Sequence, residues 1–325
     1  MQKLQFLDKL YDNCRNLLSV RRFYFHPEKD GFYGAYFPND TPTAKAMILM
    51  LGDDIDDAFA VAGVKWIQPL GYNVMTLAPA KKDYGHHSYP IERIENAVAY
   101  LKAQGNTKIG IAGASTTGML ALAAASFIPD ITLTLAFSPA DFIMEGFYRD
   151  GLDGMKERPG DFESSLSYHG EQLPFLPYAY RHPEYWLKIQ QESQRRGDMV
   201  ASRDMFDESE RLHPLQEEEK IKVENIKGRI VFVGAEDDVL WDTCKYIRRM
   251  TERLESKPHQ SKYKALLYEH GSHFIFPQSM LEEVLPIGSE QVLKIVFQSL
   301  KQFPELCRET RIDIDRKLTY ILSKW

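Results

Sequence analysis

Cysteine is scarce in this chain: Cys14, Cys244 and Cys307 are the only three, far apart and outside any CxxC or histidine-associated spacing. An odd number so placed gives neither a disulfide framework nor a zinc site. Long apolar runs are missing too. The longest, Met119 to Ile128, contains one serine and falls far short of the ~20 residues that cross a bilayer, so no membrane span is expected. Basic residues cluster no more densely than Arg21-Arg22 and Arg195-Arg196, and 40 Lys and Arg against 46 Asp and Glu leave a net charge of -6. Without a concentrated basic face to neutralise phosphates, no nucleic-acid partner is expected. His86 and His87 stand without acidic or thiol neighbours at ligand spacing, so no metal is expected there.

What is present is an ordinary globular composition, 44% hydrophobic and 26% charged, over 325 residues. The first stretch, MQKLQFLDKLYDNCRNLL, has Asp8, Lys9 and Asp12 inside its apolar pattern and reads as an amphipathic helix rather than a signal peptide, which implies a cytoplasmic location. Short β-rich runs recur at residues 45–51 (KAMILML), 72–77 (YNVMTL), 108–112 (KIGIA), 131–137 (ITLTLAF), 229–233 (RIVFV) and 263–268 (YKALLY). Each is too short for a helix and bounded by turn-forming residues, as strands buried on both faces are. Helical periodicities lie between them, with Ile91, Ile94, Val98 and Leu101 following Pro90 as one example. Strand alternating with helix predicts an α/β fold with a mostly parallel sheet flanked by helices. RRFYFHPEKDGFYGAYF, ahead of it, predicts an antiparallel hairpin turning at Lys-Asp-Gly.

The pattern divides the chain into an extension (residues 1–44), a core (45–140 and 228–305), an inserted cap (141–227) and a helical tail (306–325). Aromatics crowd the cap, and Phe175, Tyr178 and Trp186 are its candidates for substrate binding, the competing reading being that they form the cap's own core.

The strand KIGIA runs directly into Gly113-Ala114-Ser115-Thr116-Thr117-Gly118 and a helical run. A serine on a sharp strand-to-helix turn is the nucleophile elbow of the α/β-hydrolase fold, although Thr117 stands where GxSxG has its second glycine. A weakly nucleophilic hydroxyl needs an imidazole base oriented by a carboxylate, and this fold supplies them in the order Ser, acid, His on loops after later strands. RIVFVG leads into Glu236-Asp237-Asp238, and YKALLY into His270-Gly271-Ser272-His273. Position after the strand favours Asp237 as the acid with Asp238 as the alternative, and His273 as the base with His270 as the alternative. An oxyanion hole is expected from the amide of Thr116 and from the loop after residue 51, through Asp53 or Asp54. That loop reads GDDIDD, an unusually acidic sequence beside a developing oxyanion.

From residue 45 to about 300 the chain resembles the C-terminal catalytic domain of the acyl-CoA thioesterase and bile-acid acyltransferase family, which is related to dienelactone hydrolases. The similar stretches are YPIERIENAVAYLKAQ, KIGIAGAST, ITLTLAFSPADFIMEGF, SSLSYHGEQLPFLPYAY and EHGSHFIFPQ. The resemblance implies an α/β-hydrolase fold with an inserted cap, no cofactor, and Ser115, Asp237 and His273 as nucleophile, acid and base. It implies a small acyl ester or thioester as substrate. Serine in place of the acyltransferases' cysteine favours transfer to water. The segment before residue 45 is shorter than the ~100 residues of the family's amino-terminal β-sandwich. A rival enzyme reading is dienelactone-hydrolase-like or peptidase-like activity with the same triad, and a reading from another class is a degenerate hydrolase that binds a ligand without cleaving it. Four aspartates at the oxyanion loop also disfavour the phosphates of coenzyme A, unless Lys81, Lys82, Arg149 or Arg181 compensate.

Overall fold

The computed structural model describes residues 22–79, 87–146, 162–181, 183–284 and 289–325. The amino-terminal segment read as an amphipathic helix, together with His86, Lys81, Lys82 and Arg149, lies outside them. Eleven strands are described: β1 (Phe23–Phe25), β2 (Gly34–Phe37), β3 (Lys45–Met50), β4 (Asn73–Leu77), β5 (Tyr89–Pro90), β6 (Lys108–Ala114), β7 (Ile131–Phe137), β8 (Leu166–Tyr168), β9 (Glu171–Gln172), β10 (Arg229–Ala235) and β11 (Lys262–Tyr268). The helices are α1 (Pro27–Asp30), α2 (Ala58–Ile67), α3 (Glu92–Ala103), α4 (Thr116–Phe127), α5 (Glu184–Arg196), α6 (Arg203–Leu212), α7 (Thr243–Ser256), α8 (Gln278–Val284), α9 (Ser289–Val296), α10 (Gln298–Gln302) and α11 (Pro304–Lys324).

Eight strands form one sheet in the order β1-β2-β4-β3-β6-β7-β10-β11, parallel from β4 to β11 with β1 and β2 antiparallel at one edge. All six β-rich runs found in the sequence are strands of this sheet. The edge hairpin turns differently from expectation. Pro27 at a first helical position starts the single turn α1, and Gly31 closes it at φ 77°, so a helical turn replaces the compact Lys-Asp-Gly loop.

The sheet is covered on both faces. One core gathers Ile48, Met75 and Ile111 with α3, α4 and α7; the other gathers Met47, Leu49 and Val233 with α2, α8 and α11. Helix α4 is apolar all round and buried over most of its length, as befits a helix carried between sheet and cap. No described helix is long and apolar enough to cross a membrane.

The chain leaves the sheet after β7 and returns before β10. Its outgoing and incoming ends pair, Ile143 N–H donating to the Glu219 carbonyl at 3.0 Å and Ile221 N–H to the Asp141 carbonyl at 2.9 Å. Below this neck, buried Asp141 accepts from Nε and Nη2 of Arg249 on α7, whose Nη1 donates to Glu210 of α6. Burial alone opposes the Arg249 charge, but the two carboxylates more than offset it and hold the guanidinium above its ordinary range. The excursion carries α5 and α6, and its strands β8 and β9 join β5 in a small second sheet.

Candidate active site

Parallel strands place the loops after β6, β10 and β11 along one edge of the sheet, where ligands of open α/β sheets bind. Three serines with positive φ stand on this edge, Ser115 at 60°, Ser138 at 44° and Ser272 at 58°. Such backbone is costly for residues with a Cβ and persists where the surroundings enforce it. At Ser115 the enforcement is local. A Cβ at Gly113 would meet the Thr117 carbonyl oxygen at 2.0 Å, and one at Gly118 would meet the Phe137 carbonyl oxygen at 2.8 Å, so both positions require glycine. The glycine displaced from 117 to 118 relative to GxSxG is therefore the one that lets α4 approach β7. Thr117 ties the elbow to the end of β3, its hydroxyl accepting from Ala114 N–H at 2.9 Å and donating to the Met50 carbonyl at 2.5 Å. Ser115 stands at the N-cap position of α4, yet its side chain makes no capping bond to the helix.

The candidate base and acid pair differently from the sequence expectation. His273 Nδ1 lies 2.8 Å from Asp238 Oδ2, with the two residues 6% and 0% exposed. Asp238 is fixed further by the Thr243 hydroxyl at 2.5 Å and by Leu240 N–H at 2.9 Å. Asp237, preferred from its position after the strand, turns the other way. It accepts from the amides of Gly271 and Ser272 at 3.0 and 2.8 Å and sits 3.2 Å from His270 Nδ1. Burial raises its pKa above the ordinary carboxylate value, against those hydrogen bonds. His270 stacks on Phe303 with ring centroids 4.0 Å apart, so the alternative base is committed to packing.

The His273 imidazole is held on other sides as well. Ser138 donates its hydroxyl to the His273 carbonyl at 2.9 Å, Trp241 donates its indole N–H to the Ser138 carbonyl at 3.1 Å, and the indole meets the imidazole edge-to-face at 4.7 Å. His273 Nε2 is buried without a hydrogen-bond partner, so it is not bonded to Ser115. Catalytic hydrogen bonds are commonly longer before substrate binds.

Thr116 is the first residue of α4, where an amide has no partner within its own helix and the helix dipole favours negative charge. The second donor expected from Asp53 or Asp54 is not available. The amides of Asp53 and Asp54 both donate to Asp57 Oδ2, at 2.6 and 3.0 Å, while Asp57 Oδ1 caps α2 through Ala60 N–H at 2.9 Å. Gly52 makes room for this fold-back, since a Cβ there would lie 2.1 Å from the Asp57 carboxylate. An aspartate directly ahead of an apolar helical run is a cap signal, and that signal at Asp57 could have identified the fold-back from sequence. Asp54 and Asp56 accept hydroxyls from Tyr33 at 2.9 Å and Tyr24 at 3.1 Å. The acidic loop is thus a folded structure, and at its start the amides of Leu51 and Gly52 are not held by Asp57.

Of the cap aromatics, Tyr178 is buried, stacked on Tyr185 and edge-on to Phe206, which in turn meets Trp241. Phe175 and Trp186 are half-buried against the same core. Tyr178 therefore belongs to an aromatic row running from the cap to His273.

Similar proteins agree with this architecture. Matching structures include the α/β-hydrolase enzyme MGS-M1 from a Medee basin deep-sea metagenome library, 14% identical over 94% of this chain and 99% of that one, with a TM-score of 0.54. Another is a Pyrobaculum calidifontis esterase, 12% identical over 98% of this chain and 91% of that one, with a TM-score of 0.53. At such identity the likeness is one of fold. A comparison with curated protein sequences found no match. The family model described as BAAT / acyl-CoA thioester hydrolase C terminal matches residues 89–280, from β5 through the elbow and the cap to the histidine loop, which is more than half of the chain. By fold and by family model together, this chain is an α/β hydrolase belonging to the BAAT / acyl-CoA thioester hydrolase C-terminal family.

Proposed function

We propose that this protein is a serine hydrolase that cleaves acyl esters or thioesters through Ser115, His273 and Asp238. The observation that carries the reading is the buried His273–Asp238 pair, whose outer nitrogen has no partner, on the same sheet edge as a strained serine. Asp238 fixes the tautomer by accepting from Nδ1, which leaves Nε2 to take the proton as the Ser115 oxygen attacks the acyl carbon. The oxyanion that forms is met by the Thr116 amide at the positive end of α4. His273 returns the proton to the departing alcohol or thiol, and water, activated in the same way, releases the acid from Ser115. Asp238 replaces Asp237 in this reading because a carboxylate facing His270 cannot orient His273.

A fluorophosphonate probe tests the proposal directly. Wild-type protein should be labelled at Ser115, and Ser115→Ala should abolish labelling and lower ester turnover by roughly 10⁴-fold or more with the fold intact. Undiminished labelling of Ser115→Ala would sink it, and absence of labelling in wild type would favour a hydrolase relic that only binds.

A further inference from the structure

The turn carrying Asp238, residues 236–242 between β10 and α7, is gripped from outside by two consecutive residues of the cap. Ser202 N–H and Arg203 N–H both donate to the Val239 carbonyl at 3.0 Å, and the Ser202 hydroxyl donates to the Leu240 carbonyl at 2.8 Å. One arm of the Arg203 guanidinium donates to the carbonyls of Glu236 at 3.2 Å and Asp238 at 3.1 Å. The other arm pairs with the Asp242 carboxylate. Four carbonyls within five residues of the acid turn are thus satisfied by the cap rather than by the sheet.

Asp242 adds a second link. Its side chain also accepts from Lys245 N–H at 3.1 Å as the cap of α7, the helix whose first residue is the Thr243 that donates to Asp238. Arg203 therefore braces the acid turn at both ends, through the backbone of Asp238 and through the start of the helix that holds its carboxylate.

We propose that Arg203 is a positioning residue for hydrolysis: it keeps the acid turn in the form that holds Asp238 against His273, and so couples the acid–base pair to the seating of the cap. This rests on the assignment of Ser115, His273 and Asp238 as the triad. Arginine suits this position because its planar fork reaches acceptors in two directions at once, which the single ammonium of lysine does not. A cap displaced by a poorly fitting acyl group would pull on this turn, so fit in the cap would be read out as turnover rather than as affinity alone.

The test uses Arg203→Met, Arg203→Lys, Asp238→Asn and the Arg203→Met/Asp238→Asn double variant of the full chain, with a small p-nitrophenyl ester as substrate. Rates are expressed per active site titrated with fluorophosphonate, so that loss of folded protein does not count as loss of rate. Arg203→Met should lower kcat about 10- to 100-fold, the scale set by small misplacements of catalytic groups, with KM changed by less than about twofold and Arg203→Lys falling between. On the Asp238→Asn background the same change should cost less than about threefold, because residues acting as one unit are not additive. Wild-type kcat per site in Arg203→Met, or multiplicative losses in the double variant, would overturn the proposal. Should Arg203→Met fail to fold, wild-type kcat per site in Arg203→Lys does so. Failure of the triad assignment would appear separately, as normal turnover in Asp238→Asn.

Discussion

Asp237 and Asp238 are neighbouring aspartates on one turn, yet they face different histidines, and paired substitutions should separate them. Asp238→Asn keeps the shape but offers Nδ1 of His273 an unsuitable partner, so kcat should fall by about 10⁴-fold, the cost seen when a triad loses its tautomer control. Asp237→Asn retains an oxygen for the amides of Gly271 and Ser272, and kcat should stay within about tenfold of wild type. Its stability carries a further signature. A carboxyl whose folded pKa is raised by burial disfavours folding progressively as pH rises above its ordinary value of 3.8 and through the raised one. Thermal melting should thus show Asp237→Asn gaining on wild type between pH 4 and neutrality. A larger activity loss in Asp237→Asn than in Asp238→Asn would return the acid role to Asp237. The serine is readable from sequence because the strand, Gly113 and an apolar helix constrain one another locally. The aspartate that pairs with His273 is not, since the choice between neighbours is made by Leu240, Thr243 and His273, contacts that spacing does not encode.

At the scale of elements, strands buried on both faces announce themselves by apolar runs, and the sheet follows the sequence closely. The cap does not, because its aromatics carry the same composition whether they line a pocket or fill a core. Tyr178 is the decisive case: a substrate-contact candidate by sequence, it is packed between Tyr185 and Phe206 in the row that reaches Trp241 and His273. Tyr178→Ala should therefore cost about 3–5 kcal/mol of stability, as other large-to-small core truncations do, and depress turnover of every acyl chain length alike. Half-buried Phe175 and Trp186 are better placed to discriminate, and their alanine variants should change the ranking of chain lengths with smaller losses in a urea melt. A chain-length shift confined to Tyr178→Ala would reverse the two roles.

For the whole molecule, the family match leaves the leaving group open, and electrostatics decides what to expect. Coenzyme A carries several phosphates past the mouth of any site that uses it. Here the loop after β3 presents exposed Asp53 together with Asp54 and Asp56, the latter two fixed in place by the hydroxyls of Tyr33 and Tyr24. Asp57 is folded inward as a helix cap, with its pKa raised by burial. Of the basic residues that could offset this field, Arg181 is committed to the buried Glu145 at 2.8 Å, while Lys81, Lys82 and Arg149 lie outside the described residues. Carboxylates within a Debye length of ~8–10 Å oppose a phosphate in a manner that salt relieves. The expected outcome is that kcat/KM for a neutral ester exceeds that for the acyl-CoA with the same acyl group at low ionic strength, and that raising the salt narrows the gap by improving the CoA substrate. Repulsion and attraction predict opposite salt slopes, which makes the slope more telling than the preference itself. An acyl-CoA that is preferred at low salt and loses ground as salt is added would show that basic residues at the entrance outweigh the GDDIDD loop.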